Sequence, residues 1–362
     1  MTKVVLENLT KIYPGGTIGV DHLNLTIESG SFTSLLGPSG CGKTTTLKLI
    51  AGLLDPTEGR IFFDDEDVTY VPPQLRSVGL VFQDYAVFPH MTGYENIAFG
   101  LRVRGLSEQE IKKKVKEVAD LLELQDVLNR KPRDMNMSEL QRVALARTIV
   151  TRPKVLLLDE PLSNLDATLR VKARMELKKL QKFLKQTIIY VTHDQVEAMT
   201  LSDKVAVMDK GKLKQYDSPK NIFERPRNKF VAGFVGTPPM NFIDCTLVQK
   251  DGRYLLDAGS FAIDATKLGD VLKDIKSTAL IMGIRPRDVS VSIKPISGGM
   301  MAKVFAVEPL GIEKVVTIRI DNILIKAITP KEFAVKLDQE IWFKFNLQKL
   351  HIFDKKTEEA YF

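Results

Sequence analysis

Apolar residues gather in short runs over the first two-thirds of the chain, and helical periodicity fills the spaces between them. The segments VVLENL (4–9), GSFTSLL (30–36), VGLVF (78–82), KVLLLDE (154–160) and TIIYVTH (187–193) read as strands. Several are apolar at nearly every position, which predicts strands buried on both faces of a largely parallel sheet. Ser107, with Glu110 three residues on, has the spacing of a capping box and opens a predicted helix. That helix carries Ile111, Val115, Val118, Ala119 and Leu122 on one face. A second, Ala167 to Lys185, is highly charged but keeps Leu169, Ala173, Leu177 and Leu180 as an apolar stripe.

The pattern changes near residue 235. Ser218 as N-cap and Pro219 at the first helical position start a short helix, and another through Phe234 leads into the Gly/Pro linker GTPPMN. Beyond it come β segments: FIDCTLVQ, ALIMGI, MAKVFAVEPL, KVVTIRI and IWFKFN. No long amphipathic helix separates them, so an all-β barrel or sandwich is expected. The predicted organisation is an α/β domain over 1–235 and an all-β domain over 236–362.

Composition narrows the classes. With 44% hydrophobic and 27% charged residues, the 362-residue chain is neither disordered nor collagen-like. Two cysteines, Cys41 and Cys245, are too few for a disulfide framework. MTKVVLENLT lacks the apolar core of a signal peptide, and no apolar run has the length of a bilayer span. A solute-moving role would therefore need other chains to form the pore. The net charge of +7 comes from scattered basic residues, and the one cluster, KKKVK at 112–116, lies on a predicted helix face. No nucleic-acid partner is expected.

The chemistry starts at GPSGCGKTT. Gly37, Pro38, Ser39, Gly40, Cys41, Gly42, Lys43, Thr44 and Thr45 match G-x-x-x-x-G-K-[ST] between a strand and a helix starting near Lys43. Backbone N–H groups of such a loop converge on phosphate oxygens, Lys43 reaches the β/γ-phosphates, and Thr44 ligates Mg²⁺. Cys41 fills a variable slot as a packed thiol. Asp159 and Glu160 end a buried strand; the first can hold Mg²⁺ and the second can polarise a water. His193 ends another strand, at the edge where open α/β sheets bind ligands.

These motifs, in this order, resemble the ATP-binding subunits of ABC importers, along essentially the whole chain. The resemblance implies a P-loop ATPase cassette with a helical subdomain, followed by an oligonucleotide-binding-like (OB-like, TOBE-type) β domain that serves dimerisation and regulation. It implies ATP and Mg²⁺ as cofactors, and an ATPase coupled to transport. It gives Gln83 a place beside Mg²⁺ and the attacking water, makes His193 a γ-phosphate contact, puts Asp166 at a dimer interface, and sets Tyr13 against adenine. Residues Tyr85 to Met91 correspond to the region that grips the permease, or else to helical-subdomain core. VAGFVGTPPMNF, MGIRPRDV, EPLGIEKVV and HIFDKKT resemble the β domain of the carbohydrate and osmolyte branch. That branch implies transmembrane permease subunits, an extracytoplasmic solute-binding protein acting indirectly, and a peripheral place on the cytoplasmic face of the membrane. Sugars or glycerol-type polyols are the expected solutes; polyamines, ferric ion, sulfate and betaine are the alternatives.

One motif departs from the family. Where L-S-G-G-Q is expected before QRVALAR, this chain reads Met135, Asn136, Met137, Ser138 and Glu139. In the family this loop closes over the γ-phosphate held by the other subunit. Met137 and Ser138 add side chains where glycine permits close approach. Glu139 places a carboxylate near a phosphate, a repulsion of about 4 kcal/mol at an effective dielectric near 20 before relaxation. The expectation is a heterodimer with a second ABC ATPase whose signature is intact, the alternative being a slower homodimer. A regulatory subunit that binds ATP with little hydrolysis is the competing class.

Overall fold

A computed structural model describes the chain except residues 1, 251, 274 and 276 and the side chains of 182 and 184. Its residues fall into two units, Met1–Pro219 and Lys220–Phe362. In chain order the first unit contains β1 (Val4–Ile12), β2 (Ile18–Ile27), β3 (Phe32–Leu36), α1 (Lys43–Ala51), β4 (Glu58–Phe63), β5 (Glu66–Asp67) and β6 (Val78–Val81). There follow α2 (Gly93–Val103), α3 (Glu108–Leu121), α4 (Met137–Ile149), β7 (Val155–Asp159), α5 (Ala167–Leu184), β8 (Thr187–Thr192), α6 (Gln195–Leu201), β9 (Lys204–Asp209) and β10 (Lys212–Asp217).

The apolar runs form the middle of a six-stranded sheet of order β10-β9-β3-β8-β7-β6. From β9 to β6 every pairing is parallel; β10 closes the far edge antiparallel. β3, β7 and β8 are buried at every residue, and the period of two distributes each strand between two cores. Leu156 and Leu158 join α2 to α5 in one apolar cluster, while Val155 and Leu157 join α1 and the smaller sheet in the other.

VVLENL is the exception among the predicted strands. It becomes β1, inside a separate antiparallel sheet of order β2-β1-β4-β5. Its burial shows why: Val4 and Leu6 are buried, whereas Glu7 and Asn8 are exposed. Asn8, at φ 47°, interrupts the register with β2 between Leu6 and Leu9.

Both predicted helices form. The Ser107–Glu110 capping box is made in both directions, and Ile111, Val115 and Ala119 are buried. In α5, Ala173, Leu177 and Leu180 are buried and Leu169 packs at the edge of the same core. Lys112, Lys113 and Lys116 point to solvent, as a solvated helix face does. No helix among the described residues is long and apolar enough to cross a membrane.

The second unit holds two antiparallel sheets, of six and five strands, around one core. Ile243, Leu256 and Met282 of the first pack with Val304, Val316 and Phe343 of the second. Here lies a titratable group with a stability consequence. Burial, helped by the Arg285 and Lys349 charges, pushes the His351 imidazole down from 6.5 to about 4. As pH falls below 6.5 the unfolded chain takes up this proton first, so stability declines until the folded form also titrates near 4. At 1.36 kcal/mol per pKa unit the loss amounts to roughly 3 kcal/mol. Thermal melts between pH 7 and 4 should show this slope, and His351→Gln should flatten it.

Candidate functional site

Parallel pairing brings four strand ends to one edge of the six-stranded sheet. Leu36 is in register with Thr192, Val191 with Asp159, and Leu158 with Val81. The residues that follow those ends are the phosphate-loop sequence, His193, Glu160 and Gln83. Four chain segments distant in sequence thus deliver polar groups to one place, because the strands run the same way and stop at the same level.

The loop from Gly37 to Gly42 turns between β3 and α1. Gly42 has φ 103°, and a Cβ there would collide with the Gly19 carbonyl oxygen, so only glycine fits. Gly40, at φ 76°, faces open space, with nothing within 4 Å of where a Cβ would stand. Ser39 is exposed beside it, while Pro38 is partly covered. Lys43 is only 5% exposed, and its ammonium donates to the carbonyl oxygens of Gly37 at 2.8 Å and Pro38 at 2.9 Å. No carboxylate pairs with this buried cation among the described ion pairs. Cys41 is buried too, and burial pushes its thiol up despite the adjacent Lys43; it packs, as expected of that slot.

Thr44 donates its hydroxyl hydrogen to Asp159 Oδ1 at 3.1 Å. Burial, with the charge of Glu160 adding to it, raises the Asp159 carboxyl, so a cation at this point would relieve a desolvated acid. The pair offers hard oxygen donors, which suit Mg²⁺. Among the described residues no group of three His, Cys, Asp or Glu could hold a metal unaided. Glu160 adopts φ 45°, a left-handed conformation uncommon outside glycine. Its N–H still continues the ladder to Val191 O at 3.0 Å, and its Oε2 lies 3.1 Å from His193 Nδ1. The backbone twist turns this carboxylate out of the sheet and toward the histidine. Tyr13 sits beside the loop, its hydroxyl 3.0 Å from Thr45 Oγ1, with the ring partly exposed.

A family model described as ABC transporter matches residues 20–163, and a MalK OB fold domain model matches residues 236–289. The trehalose/maltose import ATP-binding protein MalK of Thermococcus litoralis is 45% identical over 381 residues, covering 100% of each chain. The chain belongs to the ABC transporter ATP-binding subunits. The oligosaccharides import ATP-binding protein MsmX of Bacillus subtilis is 40% identical over 99% of each chain. Among solved structures, cbiO1 from Clostridium perfringens, part of an ABC transporter complex, aligns with TM-score 0.57 and 32% identity over 60% of this chain and 89% of its own. A dimeric ATP-binding cassette bound to ADP and Pi aligns with TM-score 0.54 and 31% identity over 60% of this chain and 98% of its own. The fold is therefore an ABC ATPase cassette followed by an OB-fold β domain, and the chain is an ABC transporter ATPase.

Residues 135–139, the predicted counterpart of the family's signature, have a particular arrangement. Asn136 is the N-cap of α4: its Oδ1 accepts from Glu139 N at 2.9 Å, and Glu139 Oε2 accepts from Asn136 N at 2.8 Å. Arg130 lies 3.4 Å from Glu139 Oε1. The Glu139 carboxylate is thus folded back onto its own helix instead of projecting outward. Met135 is buried, Met137 is 42% exposed, and Ser138 lies in the first turn. Asp166 is the N-cap of α5, accepting from Leu169 N at 2.9 Å.

Gln83 is exposed, and the contact found in its loop is through the backbone, with Asn164 Nδ2 donating to Gln83 O at 2.8 Å. The residues after it carry strain that the sequence did not disclose. Tyr85 and Ala86 have φ of 62° and 45° in succession, and Tyr85 is buried in the helical-subdomain core. Arg147, at the end of α4, donates to Ala86 O at 2.8 Å and Tyr85 O at 3.1 Å, and its guanidinium lies 5.0 Å from the Phe88 ring centre. Backbone acceptors leave no partner to search for in a sequence, so Arg147 was not among the predicted site residues. Two charge-assisted bonds at about 1.5 kcal/mol or more each hold this turn. Arg147→Met should therefore cost about 3 kcal/mol in urea unfolding.

Proposed function

We propose that this ABC ATPase energises uptake of sugars or glycerol-type polyols, docked peripherally on transmembrane permease subunits at the cytoplasmic face of the membrane. The observation that carries this reading is full-length similarity to ATP-binding proteins named for trehalose/maltose and oligosaccharide import, together with the matched MalK OB fold domain. A third relative, from Synechocystis, is named for uptake of osmoprotective compounds and is 40% identical over 100% of each chain.

In this reading Gly37 to Thr45 wrap the phosphates of ATP, and the Tyr13 ring stacks on the base. Lys43 exchanges two carbonyl partners for phosphate oxygens, which turns an unpaired buried cation into a charge-assisted contact. Thr44 and Asp159, with Gln83 from the fourth strand end, would hold Mg²⁺, which supplies charge neutralisation at the phosphates when bound. Glu160 accepts the proton of the attacking water, and His193 supports the Glu160 carboxylate and contacts the γ-phosphate. The carboxylate has room to act because its left-handed backbone aims it away from the ladder.

A dimeric assembly follows from the cassette family, and a heterodimer is favoured here by the altered signature. The solute reading is tested by reconstituting the transporter in proteoliposomes with its permeases and solute-binding protein. Maltose, trehalose or a glycerol-type polyol should stimulate ATP hydrolysis several-fold. Stimulation by polyamine, ferric ion, sulfate or betaine instead would overturn it.

A further inference from the structure

The second unit contains a cavity of about 480 Å³, within the roughly 300–1,000 Å³ of small-molecule sites. Every residue lining it belongs to that unit. Its wall combines an aromatic and aliphatic side (Phe223, Ile328, Leu350) with a cationic one (Arg285, Lys349) and a histidine, His351.

Arg285 is the unusual member. It is 6% exposed, yet the described ion pairs include none to its guanidinium. It donates to Val235 O and Phe223 O, each at 2.7 Å, and lies 3.8 Å from the Phe223 ring centre. Its buried Nε–H has no hydrogen-bond partner among the described residues. A guanidinium has five N–H donors, so donors remain unused, and the charge has no direct ion pair among the described residues. The carboxylates nearby do not pair with it directly, and Asp288 acts on it only through space. Asp288 lines the cavity but forms no ion pair with Arg285, and Glu224 lies 4.0 Å from Lys220. Arg287 is already satisfied by a bidentate bond to Glu313, 2.9 Å on each arm.

A buried, fixed guanidinium without a direct ion pair, beside a second cation and a neutral imidazole, is the chemistry that recognises a phosphate. The Phe223 ring and aliphatic wall fit the body of a sugar. We propose that this cavity binds a sugar monophosphate, its phosphate held by Arg285 and Lys349 with a hydrogen bond from His351, and its ring against Phe223. The anion follows from the cavity alone; the choice of a sugar body rests on the proposed transport role.

The test uses the full chain, titrated calorimetrically with glucose 6-phosphate, inorganic phosphate and glucose. Saturating ADP is present so that the phosphate loop at 37–45 is already filled. Saturable binding of glucose 6-phosphate is expected, at least tenfold tighter than phosphate, with none for glucose. Lys349→Ala, at an exposed position, should weaken it about tenfold without altering the fold. Lys303→Ala, on a different surface of the same unit, should leave it unchanged. Arg285→Gln should abolish it; since Arg285 also ties two backbone carbonyls, Lys349→Ala keeps the idea testable if that variant fails to fold. No saturable binding, equal binding of glucose, phosphate as tight as the sugar phosphate, or indifference to Lys349→Ala would each overturn the proposal. ADP binding, measured first, reports on the ATPase reading separately.

Discussion

Glu160→Gln should lower ATP turnover about 10³-fold while leaving ATP affinity within a factor of two. A positioned general base contributes about 10²–10⁴-fold, and glutamine keeps the size and the hydrogen bond of the carboxylate while removing its basicity. The substitution touches neither the backbone link from Glu160 N to Val191 O nor the loop that holds the phosphates. His193 Nδ1, 3.1 Å from the Glu160 carboxylate, would still find an oxygen or amide at the same place. Loss of binding along with turnover would point to a fold defect. Turnover within tenfold of the parent protein would reject Glu160 as the base. Single-turnover hydrolysis and equilibrium binding of a fluorescent ATP analogue, measured with the complete transporter, separate the outcomes.

The parts of this site that were legible in the sequence share a physical property: their information is local. G-x-x-x-x-G-K-T specifies its own turn, because Gly42 must adopt a conformation other residues resist and the helix must start at Lys43. β7 and β8 were legible because near-continuous apolar runs with acidic or histidine ends have few other uses, and β3 because it leads straight into the phosphate loop. β1 falls outside the parallel sheet because Glu7 and Asn8 are exposed, so VVLENL lacks the two buried faces that the other runs have. Arg147 could not be found, because it acts 61 residues away on carbonyl groups that every residue has. The Glu139 geometry has a local signal in the sequence. Asn136 followed three residues later by Glu139 is the spacing of a capping box, and that box, not an outward-facing charge, is what the carboxylate forms.

That capping box leads to the second large effect. In the signature loop of the family, N–H groups at the head of a helix meet the γ-phosphate of the partner's ATP. Here the N–H groups of Asn136 and Glu139 are already taken, the first by the Glu139 carboxylate and the second by the Asn136 amide oxygen. On the proposed assignment of 135–139 to that role, an internal anion sits where the external one would bind, and it also satisfies the positive end of the α4 dipole. Arg130, 3.4 Å away, anchors it further. Direct repulsion between Glu139 and phosphate, about 4 kcal/mol at 4 Å, is the smaller concern once the carboxylate is folded back; the larger one is that donors are withdrawn. Losing one preorganised donor of this kind costs about 10²–10³-fold in rate. The chain alone should consequently hydrolyse ATP slowly. Changing Asn136→Ser, Met137→Gly, Ser138→Gly and Glu139→Gln together should raise that basal rate roughly 10–100-fold. The same gain should appear when the unmodified chain is combined with a second ATPase subunit of intact signature, since one site would then be closed by a working loop. Vigorous hydrolysis by the unmodified chain alone would mean that the occupied helix end opens during closure, and the need for a different partner would disappear.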